Sequence, residues 1–215
     1  MAQRMKKTEV TTTAPSIEKK QPTANEMREW YENGQIKAEG TYKAGEKEGE
    51  HKTYTAEGAL VSVSSYKTGK PDGVCTEYSS TSRKPISKTE YAFGEIKGKA
   101  EGWYESGQPS YLCENCTGEN IESLHSGTLT KWHANGQKSF YGAYQNEKPQ
   151  GAHTKWFENG QKSFYGLYTN GQPNGEHTEW YENGKVQSRF LYKNGELVSN
   201  KQYAPDGTEY ELVGD

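Results

Sequence analysis

The chain has 215 residues and a net charge of −3, and Leu, Ile, Val and Phe together fill only 25 positions, about 12%. So few aliphatic residues exclude a thick two-layer core, while 16 Tyr, 5 Trp and 5 Phe at so small a net charge exclude a disordered chain. A polar chain rich in amphipathic rings suits a thin structure, in which aromatic bodies cover backbone and their polar ends stay wet.

From the N-terminus, residues 1–27 read as a flexible polar tail. Thr11-Thr-Thr-Ala-Pro-Ser16 is low in complexity, and the first 25 residues carry five basic and two acidic side chains, which leaves −6 on the remainder. A mildly acidic body is a poor nucleic-acid binder, because phosphate contacts need clustered Lys and Arg. No apolar run approaches the length of a membrane helix, and Met1 to Lys20 lacks the apolar core of a secretory signal, so the expected location is the cytoplasm.

The next segment, 28–210, repeats. Trp30-Tyr-Glu-Asn-Gly34, Trp156-Phe-Glu-Asn-Gly160 and Trp180-Tyr-Glu-Asn-Gly184 are nearly identical, with Trp103-Tyr-Glu-Ser-Gly107 and Trp132-His-Ala-Asn-Gly136 close behind. Tyr54 to Gly58, Tyr78 to Ser82 and Tyr203 to Gly207 are weaker copies. The turn positions 34, 58, 82, 107, 136, 160, 184 and 207 are separated by 24, 24, 25, 29, 24, 24 and 23 residues. A second glycine stands nine residues before the turn in six copies (Gly49, Gly73, Gly98, Gly127, Gly151, Gly175), and Gly-x-Tyr recurs as Gly40 to Tyr42, Gly142 to Tyr144 and Gly166 to Tyr168. Three landmarks in one register define eight tandem units.

Each unit reads as a β-hairpin. Asn-Gly is a strong hairpin signal because both residues tolerate positive φ, and a second turn such as Ala44-Gly45 or Asn194-Gly195 follows about ten residues later. Pro71, Pro149 and Pro173 fall at those second turns, where a missing N–H costs no ladder bond. The predicted fold is all-β: an elongated single-layer antiparallel meander of about sixteen strands, on the order of 75 Å long at about 4.8 Å per strand. Period-2 alternation predicts one ladder of Trp30, Tyr54, Tyr78, Trp103, Trp132, Trp156, Trp180 and Tyr203, read as packing. A second ladder of Tyr31, Tyr104, His133, Phe157 and Tyr181 on the opposite face is the candidate protein-binding face.

Chemistry is sparse. Cys113-Glu-Asn-Cys116 lies in the copy stretched to 29 residues, with the five-residue insertion placed within 108–126. Two cysteines are half of a closed zinc site, so plain thiols, a disulfide, a metal site and a redox pair all stay open. His51, His153 and His177 each follow the second glycine by two residues and are a feature of the repeat, expected along one edge of neighbouring hairpins. No catalytic fingerprint occurs, and no cofactor is expected.

The Trp-Tyr-Glu-Asn-Gly-Gln unit, followed by Tyr-x-Asn-Gly, resembles the MORN-repeat variant of the YwqK-type antitoxin repeat family, over residues 28–210. That resemblance implies an elongated hairpin sheet and a protein that acts by binding. The expected function is non-enzymatic: a cytoplasmic protein that holds another protein, a toxin among the candidates. The alternative is a self-assembling or membrane-associated scaffold, and an enzyme would need Cys113 and Cys116 to form a metal site.

Overall fold

The computed structural model describes residues 25–210. Nearly all of the expected N-terminal tail, and the C-terminal tail at 211–215, lie outside the described residues. Strands follow one another without a helix among them: β1 (Glu26–Trp30), β2 (Ile36–Lys43), β3 (Glu46–Tyr54), β4 (Leu60–Lys67), β5 (Lys70–Tyr78), β6 (Pro85–Ala92), β7 (Glu95–Trp103) and β8 (Pro109–Asn120). Then come β9 (Ser123–Trp132), β10 (Lys138–Gln145), β11 (Lys148–Trp156), β12 (Lys162–Thr169), β13 (Gln172–Pro173), β14 (Gly175–Trp180), β15 (Val186–Lys193), β16 (Glu196–Tyr203) and β17 (Glu209–Tyr210). Every strand pairs antiparallel with its neighbours in sequence. β13 and β14 act together beside β12, as one strand interrupted at Asn174. The result is the single open meander that the repeat predicts.

The two kinds of turn differ from each other. In the first, Tyr31 N–H donates to Gln35 O (2.8 Å) and Gly34 N–H to Tyr31 O (2.9 Å), a pattern repeated at Tyr104, His133, Phe157 and Tyr181. Only the glycine is left-handed (Gly34, φ 84°); Asn33 is not. The asparagine serves differently from the expectation. Its Oδ1 accepts from Gln35 N–H at 3.1 Å, and its Nδ2 donates to Ala56 O of the next unit at 2.8 Å. Asn135, Asn159 and Asn183 reach Glu158, Glu182 and Pro205 in the same way. The paired positive φ expected of Asn-Gly belongs to the second turns, at Ala44/Gly45 (52°/84°), Asn170/Gly171 (51°/85°) and Asn194/Gly195 (53°/87°).

The histidines occupy the middle of the sheet, a correction to the expected edge. Cross-strand pairing lines up Gly40, His51, Ser64, Cys75, Thr89, Ala100, Cys113 and Leu129 in one row. The row continues through His153 opposite Gly166 and His177 opposite Phe190. His51, His153 and His177 are buried. Each Nε2 faces a backbone carbonyl, Thr41 (2.7 Å), Ala143 (2.8 Å) and Leu167 (2.7 Å). A carbonyl only accepts, so Nε2 carries the hydrogen and donates. Tyrosine rings stand edge-on to either side: Tyr144 and Tyr168 about His153 (5.2 and 5.0 Å), Tyr168 and Tyr192 about His177 (5.0 and 4.9 Å). Such pairs contribute about 0.5–1.5 kcal/mol each beyond area burial. The glycine of Gly-x-Tyr leaves room for the imidazole: a Cβ on Gly142 or Gly166 would stand 2.7 or 2.6 Å from the ring.

Candidate functional site: a cleft under the long hairpin

The longest step of the repeat, 29 residues, coincides with a break in the single layer. β8 has 12 residues and β9 has 10, against 8 or 9 in their regular neighbours. Three register shifts fall between Glu114 and Asn120. Asn115 is left-handed (φ 54°), as are Gly118 (144°) and Gly127 (132°). Beyond that bend the hairpin folds back across the sheet. Ser123 and Lys131 would be about 26 Å apart along a straight strand, yet Lys131 Nζ meets Glu122 Oε1 at 3.2 Å.

Under the fold-back lies the hydrophobic core of the chain: Ile96, Ala100, Cys113, Cys116, Leu124 and Leu129, with Ile121, Tyr91, Tyr111, Phe140 and Tyr144 packed against them. Cys113 and Cys116 are joined in a disulfide (Cα–Cα 5.9 Å) and are wholly buried. The bridge spans the bend at Glu114 and Asn115. Gly127 makes room for it, since a Cβ there would meet Cys116 Sγ at 2.5 Å. Both sulfurs are consumed by the bridge. Cys75 is a free, half-buried thiol, and among the described residues no three His, Cys, Asp or Glu side chains group as metal ligands.

Between the overhanging tip and the sheet opens a cleft of about 690 Å³, a volume that takes a small molecule or a few side chains. Its roof is Glu119 and Ile121 to His125; its floor is Leu129, Phe140 and Tyr144, and Lys131, Lys155 and Glu147 stand at its margin. Burial, and to a lesser degree the charge of Glu122, raises the Tyr144 phenol above its usual range. His125 Nε2 lies 3.3 Å from Glu147 Oε1. A shallower hollow on the other side of the tip shares Ile121, Glu122 and Lys131 and runs out to Tyr104, Trp132 and His133.

The five residues of the expected binding face sit elsewhere than on a sheet face. Tyr31, Tyr104, His133, Phe157 and Tyr181 all open the first turn, along one rim, one residue beyond the strand-ending aromatics of the first ladder. Four of them spend their polar tips on the next unit. Tyr31 Oη donates to Tyr54 O (2.8 Å), Tyr104 to Trp132 O (2.7 Å) and Tyr181 to Tyr203 O (2.9 Å), while His133 Nε2 meets Trp156 O at 2.9 Å. Tyr104 and His133 also line the shallow hollow; Tyr31, Phe157 and Tyr181 stand apart from it. The cleft's own residues, Ile121, Leu124, Phe140 and Tyr144, were missed by sequence reasoning. The signal that could have found them is the 29-residue step.

Residues 25–44 and 173–194 match the family model described as the MORN repeat variant. Those two segments carry the MORN-type repeat. The two matched segments are β1–β2 with its first turn, and the stretch from Pro173 through β14 and β15. No curated protein matches the chain. The crystal structure of TcdB2-TccC3-Cdc42 aligns with 86% of this chain and 12% of that one, at 11% identity and a TM-score of 0.20. So loose a superposition carries no argument.

Proposed function

We propose that this MORN-type repeat protein is a non-catalytic binding protein that holds another protein, and that the partner seats in the cleft under the β8–β9 hairpin. The observation that carries this reading is the placement of the longest unit, with its 29-residue step. The other repeats make a self-similar single-layer sheet; here an insertion closed by a buried disulfide builds a concave surface with an aromatic floor and a charged margin. Buried aromatic anchors inside a charged rim are the usual anatomy of protein interfaces. Sequestration of a toxin, as in the antitoxin family that the repeat resembles, is the partner class we assign.

Affinity capture from the source lysate tests this with three baits: the unchanged chain, Ile121→Glu in the cleft, and Phe157→Ala on the rim. Phe157 is the one rim aromatic with no polar tether, so its loss spares the stacking. A stoichiometric protein held by the first and third baits and lost from the second supports the cleft. Retention on Ile121→Glu, or loss with Phe157→Ala alone, moves the site to the rim. No retained protein from any bait removes the binding reading.

A further inference from the structure

On the histidine face the aromatic rings stand edge-on to the imidazoles, and along the rim Tyr31, Tyr104 and Tyr181 donate to the next unit. A third set keeps its polar tips free. Tyr141 and Tyr165 follow Phe140 and Phe164, whose rings stand 5.6 and 5.7 Å from His153 and His177, so alternation turns the tyrosines to the opposite face. Cross-strand pairing sets Thr154 between Tyr141 and Tyr165, and Thr178 between Tyr165 and Arg189. Both threonines are buried, while Tyr141 beside them is 40% exposed. Trp156 and Trp180 stand two residues beyond the threonines, on the same face, and each ends its strand half-buried. Tyr165, Thr178, Trp180, Val186 and Arg189 line a hollow of about 300 Å³ with Lys162 and Glu176 at its border. The same pattern stands one unit earlier with Tyr141, Thr154 and Trp156, and Trp132 opens it a unit before that, two residues beyond the Thr130 partner of Tyr141. Among the described residues, nothing takes the indole N–H of Trp132, Trp156 or Trp180, or the phenol of Tyr141 or Tyr165. Leu167 and Leu191, both exposed, extend this face.

We propose that this face is a second binding surface, which takes a proline-rich segment of another protein in the polyproline II conformation, laid across the strands. Charge does not choose the occupant, since Lys162, Glu176 and Arg189 bring both signs to the border. Spacing does. Equivalent residues of successive units stand two strands, about 9.6 Å, apart. A polyproline II helix turns once in three residues, about 9.3 Å, so it brings an equivalent edge to each unit in turn. An extended strand repeats its side chains at about 6.7 Å and an α-helix turns at about 5.4 Å, and neither keeps step. Proline has no N–H, so such a segment presents carbonyl acceptors, and the row of indole N–H and phenol groups supplies donors. Aromatic-lined grooves are the usual seat of this conformation. Sheet twist carries the row away from a straight rod, which confines the contact to the three units of Trp132, Trp156 and Trp180. The floor of the cleft, Phe140 and Tyr144, belongs to the opposite face with His153, so this surface is independent of the site proposed above.

Calorimetric titration of the full chain with decaproline, about 31 Å long, tests it, with tryptophan emission read in parallel. Saturable one-to-one binding and a blue-shifted emission are expected at up to millimolar peptide. Tyr165→Ala removes the ring shared by two slots and weakens binding at least about tenfold, as loss of a central aromatic anchor does. Trp156→Phe keeps a ring, removes one donor and weakens binding about threefold to tenfold. Both variants keep the circular dichroism of the parent. Ile121→Glu in the cleft and Phe157→Ala on the rim bind decaproline as the parent does, so this surface and the cleft fail separately. Absence of saturable binding, or an affinity untouched by Tyr165→Ala, overturns the proposal. So does equal binding of a glycine–serine decapeptide, which lacks the helix. Quenching by a soluble β-glucan oligosaccharide in a chain that ignores decaproline overturns it too, and would make the face a sugar platform.

Discussion

A methyl group on Gly142 would stand 2.7 Å from His153 and 2.8 Å from Phe140, so Gly142→Ala must push the imidazole off its carbonyl or the strand out of register. The expected cost is about 1–3 kcal/mol, read as a lower urea midpoint at unchanged slope. The same rings set a pH dependence. Burial pulls the imidazoles of His51 and His153 below their ordinary 6.5, only partly offset by the bonds to Thr41 and Ala143. The unfolded chain then takes up protons first. Stability is fully present above pH 6.5 and is lost as pH falls through the lower folded values, by at most about 1.4 kcal/mol per pH unit for each histidine. Melting temperature should drop between about pH 7.5 and about pH 5. His153→Leu, which copies the Leu129 neighbour that Gly142 already accepts on its other side, should shrink that drop. The sequence shows these histidines and glycines as recurrent, but not as partners. They face each other across a hairpin, with ten residues between Gly40 and His51, and spacing alone does not say which side chain fills the space a glycine leaves.

At the scale of the hairpin, the disulfide and the bend belong together. Linking residues three apart restrains little of the unfolded chain, about 2 kcal/mol in the loop-entropy picture. Its larger effect is local, since it holds β8 where the strand leaves the sheet. Reduction, or Cys113→Ala with Cys116→Ala, should speed amide exchange over 117–126 while leaving β12 to β15 as slow as before. Uniform acceleration would mean that the bridge supports the whole sheet. The insertion was legible in the sequence as a 29-residue step with two cysteines inside it. The fold-back was not, because it arises from left-handed backbone at Asn115, Gly118 and Gly127 acting together. The rim residues show the opposite case. Tyr31 and Tyr181 alternate like strand residues in sequence, but the first turn begins one residue earlier than period-2 reading assumes, and this moves them from a face to an edge.

For the molecule as a whole, the repeat length states the strand count and direction almost without remainder, since a 24-residue unit of two strands restores both polarity and face. Excising residues 161–184 should therefore leave a folded, shorter sheet with a cooperative but lower melting transition. Excising the twelve residues 161–172 would bring two like-directed strands side by side, and that chain should lose its β-sheet circular dichroism. What the repeat could not state is how its units are joined. The side-chain bonds of one rim, from Tyr31 to Tyr54 O and Asn33 to Ala56 O, have counterparts on the other, where Gln150 accepts Asn170 N–H at 2.8 Å and Pro149 accepts Gly171 N–H at 3.0 Å.

Because the backbone ladder of each strand runs only to its neighbours in sequence, with β13 and β14 counted as one, a pull on the two ends of the chain loads the ladder bonds one at a time, as a zipper is opened. Resistance should come as a train of small, evenly spaced steps of about one unit each, interrupted once. At β8–β9 the folded-back tip and its disulfide must be carried along as a block, so a force trace should show there a single taller barrier. The tether length released with it would be shortened by the residues locked between the two sulfurs.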